Sequence, residues 1–371
     1  MSRVQVLLLS LLMCLGASAA EPLEPMDTLA LDTVSKADDE LGLIRRTVRG
    51  FDRTDDEYIE PQHYEFTVMG QITRTFESFI LSSNGQSVRL APDGLTKIGP
   101  YFGWRWFFLG YTFDIKNIGF SQNGLRKEFD FSIYSSQVGI DLFYRRTGDD
   151  YKIRDARLGY GIDGSLFEGV PFAGVNVGIT GFNAYYIFNH GRFSYPAAFS
   201  QSTCQKISCG SWMAGLGYTN NTLDMNYDKL EQTLRERMAP GQELKLDSGM
   251  MFSDIKYRDF MLSGGYAYNW VFAKNWLFCA SAQAGLCYKT SYGETADDNK
   301  TGFTFDKVHL DGIGRFGLVY NNTRWYAGCS AILRTNNYRT SRFVASNIFG
   351  SFNAYIGYNF VLKKKYRKNR A

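Results

Sequence analysis

Three histidines and eight prolines are few for 371 residues, and one charge sign is not in excess. No G-x-x-x-x-G-K-[ST], no H-E-x-x-H and no G-x-S-x-G ahead of a helix occurs. Phosphate-loop, zincin and hydrolase-elbow chemistry therefore have no foothold. Mean hydropathy of −0.25 is too low for a bundle of membrane helices. One uncharged run, Gly169 to Asn189, is long enough for such a helix, but it holds Pro171, four glycines and three asparagines. It alternates through Val175, Val177 and Ile179, which reads as a strand. The six cysteines match no zinc spacing. Cys279 and Cys287 share one expected strand, roughly 26 Å apart and beyond disulfide reach. Cys204 and Cys209 can bridge a small loop, although their free state is favoured.

What is plentiful is aromatic residues, 16% of the chain, and glycine, 37 residues. That is too apolar for a disordered chain. Arg3, the apolar stretch Val4 to Leu15 and Ala17-Ser18-Ala19 read as a cleaved secretory signal over 1–20. Residues 21–62 are polar and weakly periodic and read as a periplasmic linker or plug segment. The tail, 363–371, holds six cations, Lys363, Lys364, Lys365, Arg367, Lys368 and Arg370. They outweigh the net charge of +4, so the rest of the chain is not basic and a nucleic-acid surface is not expected. A short basic tail is most simply solvated, with anionic lipid headgroups as the functional alternative.

From Tyr64 onward the apolar pattern has period two. Trp276, Phe278, Ala280, Ala282, Ala284, Leu286 and Tyr288 share a face against Ser281, Gln283, Gly285 and Lys289. Val308 to Tyr320 and Ile348 to Phe360 repeat the design. Phe129 to Arg145 reads as one long strand with Tyr134, Val138, Ile140, Leu142 and Tyr144 outward. Tyr134 and Tyr144 stand ten positions apart, and Trp276 and Tyr288 twelve, close to the span of a tilted membrane strand. With Tyr320, Trp325 and Tyr358 they form an expected membrane girdle. The opposite face carries charge at mid-strand: Asp114, Lys116, Asp141, Arg145, Asp259, Lys289, His309, Asp311, Arg315 and Arg334 are the expected lumen lining. These charges fit either a solute-selecting constriction or a lumen filled by ion pairs. The filled lumen is the simpler reading. Short turns such as Ala273-Lys274-Asn275 and Asn321-Asn322-Thr323 alternate with long polar loops, Ser121 to Arg126, Asn220 to Asp247 and Gly293 to Lys300. That alternation is typical of bacterial barrels, with short turns in the periplasm.

Catalytic, cofactor and metal residues are not expected. His190 and Ser194 invite comparison with barrel lipases, yet four extended residues separate them by about 13 Å. In the loop after Thr219, Tyr227, Leu230 and Leu234 recur at helical spacing, with Asn226 as cap and Ala239-Pro240-Gly241 as stop.

Tyr58-Ile59-Glu60-Pro61, Tyr64-Glu65-Phe66-Thr67-Val68-Met69, Gly99-Pro100-Tyr101-Phe102-Gly103-Trp104-Arg105-Trp106, Phe131 to Gln137 and Phe193 to Gln201 resemble the DUF4421 family of barrel-like proteins from Gram-negative anaerobes. The resemblance covers most of the chain from about residue 45. It implies an outer-membrane address and brings no activity, ligand or catalytic residue.

The expected architecture is all-β: a single antiparallel transmembrane β-barrel over 63–362, with about twelve strands and a short N-terminal periplasmic segment. The expected function is that of a non-enzymatic outer-membrane protein, either a narrow solute channel or a structural barrel. Alternatives are a lipid-modifying barrel enzyme and a surface binding module built on the 220–247 loop. Expected partners are outer-membrane lipid and the barrel-assembly machinery, with no nucleic acid. Oligomeric state stays open.

Overall fold

The computed structural model describes residues 54–104, 107–110, 113–114, 127–146, 150–159, 161–238, 242–250, 254–292, 307–339 and 343–367. The expected signal sequence, residues 21–53 of the 21–62 segment, Lys116, the 121–126 and 293–300 loops, Ala239-Pro240-Gly241 and the last four residues lie outside them.

Alternating β-branched, aromatic and small residues form the strands in chain order. These are β1 (Ile59–Pro61), β2 (Tyr64–Ser83), β3 (Gln86–Pro92), β4 (Thr96–Trp104), β5 (Phe107–Gly110), β6 (Phe113–Asp114), β7 (Lys127–Tyr134), β8 (Val138–Arg146) and β9 (Tyr151–Arg157). They continue with β10 (Val175–Ile187), β11 (Thr203–Gln205), β12 (Cys209–Met225), β13 (Asp254–Ala273), β14 (Trp276–Tyr292), β15 (Val308–Asn321), β16 (Trp325–Arg339) and β17 (Val344–Leu362). Three helices are short: α1 (Pro196–Phe199), α2 (Tyr227–Arg235) and α3 (Lys364–Arg367).

Twelve strands follow one another in the order β5-β4-β2-β17-β16-β15-β14-β13-β12-β10-β8-β7. The sheet does not close. Its edges stand 14 Å apart, so the molecule is an open half-barrel and not the closed transmembrane barrel expected from the sequence. Two local departures accompany this. The segment 151–157 forms β9 and pairs with β3 as a ribbon off the main path. The stretch 128–146, expected as one strand, is the hairpin β7–β8, turned where Ser135 N donates to Val138 O at 3.0 Å.

The two ends of the sheet differ. The tight turns at 135–137, 274–275 and 322–324 share one end, which also receives the strap β1, the segment 188–208 and α3. The other end carries the β3–β9 ribbon, α2 and the long connections. Two apolar clusters fill the concave side. One, at the loop end, packs Phe79, Leu81, Tyr151, Ile153, Leu230, Leu234, Tyr257 and Phe349. The other, at the turn end, packs Tyr185, Phe193, Tyr195, Ala198, Cys279 and Val319, so the 188–208 segment is an internal plug.

Candidate functional site

Between the apolar clusters lies a layer of charge. Period two places Asp141 and Arg145 of β8, Asp259 of β13, Lys289 of β14, Asp311 and Arg315 of β15 and Arg334 of β16 on the concave face, all buried. Arg315 donates through Nη2 to Asp141 Oδ2, reaching across the interior to a strand five places away in the sheet order. Arg334 Nη2 stands 3.5 Å from the same oxygen, and Ser132 Oγ donates to Asp141 Oδ1 at 2.7 Å. Arg145 pairs with Asp130 at 3.0 Å and donates to Phe76 O and Gly350 O of β2 and β17, each at 3.4 Å. The guanidinium groups also lie over aromatic faces, Arg315 on Tyr185, Arg145 on Phe349 and Arg334 on Phe143, at 4.9 to 5.0 Å. Charge and π-face together replace part of the lost hydration.

A second cluster surrounds Lys289. Its ammonium lies 2.8 Å from Asp311 and 3.3 Å from Asp259 and donates to Asn336 Oδ1. Asp259, Cys287 and Asp311 bring ligand atoms within 4.8 Å of one another, a spacing a metal ion could use. The Lys289 ammonium already supplies the cation at both carboxylates, so the donor set fits an internal ion pair and a divalent ion would have to displace it. A cavity of about 40 Å³ adjoins this cluster, lined by Asn183, Asp259, Asp311, Arg334 and Asn336. Asn183 has neither amide atom bonded to protein among the described residues, and Arg334 Nε and Nη1 are likewise unpaired. The volume holds about three water molecules at ~10–15 Å³ each.

The remaining expected lumen residues are placed less centrally. His309 is half-buried near the loop end, its ring 6.1 Å from Tyr338. Asp114 ends β6 and stands opposite Lys97 in register. Sequence reasoning missed Asn183, Asn221, Asn336 and Tyr185, and the whole plug. The plug left one signal: Phe193, Tyr195, Ala197 and Ala198 make its connection too apolar for a solvent-facing loop. The lipase comparison finds no pair. His190 Nε2 lies 3.1 Å from Gln137 Nε2, whereas Ser194 Oγ lies 2.6 Å from Thr203 Oγ1. Helix α2 buries Leu230 and Leu234 on the loop-end cluster, capped by Asn226 accepting from Lys229 N at 2.9 Å.

The convex face is the opposite of the interior. β12 to β17 are the six middle strands of the sheet order. Trp212 is 67% exposed, Leu262 64%, Leu310 63%, Leu286 60% and Ile356 60%. From Phe260 to Trp270, Trp276 to Tyr288, Leu310 to Tyr320, Trp325 to Leu333 and Ile348 to Tyr358, no outward position is charged. Two aromatic rows bound this belt. Phe182, Tyr218, Phe260 and Tyr288 stand in register toward the loop end. Toward the turn end, Trp276 meets Tyr320 at 5.4 Å and Trp325 meets Tyr358 at 4.5 Å. Tyr144 faces outward, 37% exposed. Tyr134 is a correction to the expected girdle: it turns inward against Tyr195 and Phe199, with rings 6.0 and 5.7 Å away, because the 135–137 turn separates its strand from that of Tyr144.

A family model described as "Domain of unknown function (DUF4421)" matches residues 53–360. No curated protein matches the chain. Among solved structures, the chain is similar to the outer membrane protease OmpT from Escherichia coli, at 8% identity and TM-score 0.34, over 81% of this chain and 98% of that one. It is similar to the translocator domain of autotransporter NalP from Neisseria meningitidis, at 11% identity and TM-score 0.34, over 89% and 98%. It is also similar to the outer membrane protein OprG from Pseudomonas aeruginosa, at 10% identity and TM-score 0.23, over 81% and 98%. Likeness at this level assigns no activity to the present chain.

Proposed function

The chain belongs to the DUF4421 family, and on that premise we propose that it is a non-enzymatic structural protein of the outer membrane of a Gram-negative bacterium. The observation that carries this is the uncharged convex belt on β12 to β17, bounded by two aromatic rows. Phe260 and Trp270 lie ten residues apart on β13. At about 3.3 Å per residue and a tilt of roughly 40°, that spacing corresponds to about 25 Å, the height of a barrel's apolar band. Water would penalise so much exposed Leu, Phe and Trp, whereas hydrocarbon accepts it. The belt occupies the middle of the sheet, with three strands between it and each edge, so hydrogen-bonded backbone faces the lipid.

The interior speaks against the channel alternative. Apolar packing occupies both ends and ion pairs bridge the middle, and the turn end keeps a polar-lined cavity of about 290 Å³ beside Gln62, Gln201 and Lys363. The partners of this reading are outer-membrane lipid and, during insertion, the barrel-assembly machinery. Fractionation of the expressing cell tests the address. The chain should sediment with outer membranes and resist extraction by alkaline carbonate, and recovery from the soluble periplasm would refute the proposal. Planar-bilayer recording tests the filled interior. No unitary conductance is expected at any voltage, and reproducible steps would restore the channel.

A further inference from the structure

The turn end carries a row of cations that the lipid-facing belt does not by itself explain. Lys274 sits in the turn between β13 and β14, and Arg324 in the turn between β15 and β16. Asn321 N donates to Asn275 O at 2.9 Å, which sets those two turns side by side. Asn359 N donates to Arg324 O at 2.7 Å, and Lys363 N to His63 O at 2.9 Å. The rim therefore runs without a break from Lys274 through Arg324 to the end of β17, where α3 adds Lys364, Lys365 and Arg367.

All five side chains are exposed, and none is in an ion pair among the described residues. Two of them stand by the turn-side aromatic row. Lys274 is two positions before Trp276. Arg324 donates from Nη2 and Nε to the Tyr358 hydroxyl at 2.7 and 3.1 Å and lies 5.4 Å from that ring's centre. Two acids of this end are engaged elsewhere, Asp55 at 3.4 Å from Arg192 and Glu60 at 3.1 Å from His63, while Asp56, Glu57 and Glu65 also lie here, so the cations outnumber the acids left over. At the loop end, Lys152 and Arg154 share Asp93 at 2.8 and 2.7 Å.

Cations directly beyond an aromatic row meet the phosphate level of a bilayer, where anionic headgroups attract them. We propose that this rim is a cationic collar that binds the headgroups of anionic phospholipids in the inner leaflet and so fixes the turn end on the periplasmic side. The inference rests on the membrane reading above and specifies its lipid.

Native mass spectrometry of the purified full chain tests it. The protein, stripped of lipid in mild detergent, is offered equal phosphatidylglycerol, phosphatidylcholine and lipopolysaccharide. Phosphatidylglycerol should be retained about tenfold over phosphatidylcholine at low salt, with the preference collapsing near 1 M salt, where the screening length is about 3 Å. The variant K274Q/R324Q/K364Q/K365Q/R367Q should lose the preference while keeping its melting midpoint. A tail-only variant, K364Q/K365Q/R367Q, alters only exposed positions and should lose part of it. Equal retention, preference for lipopolysaccharide, or a preference unchanged in both variants would overturn the collar. The two proposals fail separately. A chain found soluble in the periplasm refutes the membrane reading, whereas a membrane-embedded chain without lipid preference refutes the collar alone.

Discussion

Arg315 and Asp141 are both fully buried, and each is the other's main counter-charge. Removing one leaves an uncompensated charge in the interior, so Arg315→Met alone should destabilise by about 3–5 kcal/mol. Arg315→Met combined with Asp141→Leu should recover part of that loss, because an apolar pair avoids the desolvation of both charges but leaves Arg334 without its Asp141 partner. Thermal melting of the three variants checks this, and a double variant no better than the single one would contradict it. Asp93 offers a pH-dependent test outside the membrane belt. Hydrogen bonds from Lys152 and Arg154 lower its carboxyl to about 2. The folded value lies below the unfolded one, near 3.9. The stabilisation is therefore fully present above the unfolded value and is lost as pH falls from about 4 through 2. Melting midpoints of wild type and Asp93→Asn should differ at pH 5 and converge at pH 2. Parallel curves would show that the pairs contribute nothing.

At the scale of elements, close packing of glycine against tyrosine shapes the wall. Gly139 of β8 faces Tyr185 of β10 in register, and a Cβ there would lie 2.1 Å from the tyrosine ring. Gly139→Ala should cost about 1–3 kcal/mol through overpacking. Gly264→Ala, whose Cβ would meet nothing within 4 Å, serves as the neutral control in the same melts. Helix α2 holds the loop-end cap through Leu230, which is fully buried. Leu230→Ala should cost about 2–5 kcal/mol locally and expose the 226–250 segment to protease before the sheet melts. Much of this level was legible in the sequence. Alternation separated the two faces of β14, β15 and β17, and Asn226 with the Leu230 and Leu234 spacing announced α2. The β7–β8 hairpin was not legible from its turn, because Ser135-Ser136-Gln137 carries no glycine or proline, and Tyr134 falls in step with the outward run from Val138 although it faces inward. The one signal was a change of phase, from Phe129, Phe131 and Ile133 outward on β7 to Val138 and Tyr144 outward on β8. The ribbon role of β9 was hidden for a related reason: alternation tells which face is apolar and is silent on which neighbour a strand chooses.

At the scale of the whole sheet, the proposed role needs an uncharged convex wall facing hydrocarbon around an interior packed with apolar clusters and ion pairs. Closure of the sheet could not be read from the chain, since it depends on strand number, stagger and edge length together. The main path keeps twelve strands, while β9 leaves it to pair with β3. A charge placed on the wall should be costly. Leu262→Arg, at a position 64% exposed in the belt, should lower stability in bilayers by about 2–4 kcal/mol and leave detergent-solubilised protein little changed. The most direct measurement uses the protein's own tryptophans, since Trp212, Trp270, Trp276 and Trp325 all project from the convex face. The full chain, reconstituted in bilayers whose acyl chains carry bromine at graded depths, should lose most of its fluorescence, with bromine nearest the headgroups quenching most strongly. Emission as bright as in unbrominated lipid would mean that the wall faces water, and the claim would fail.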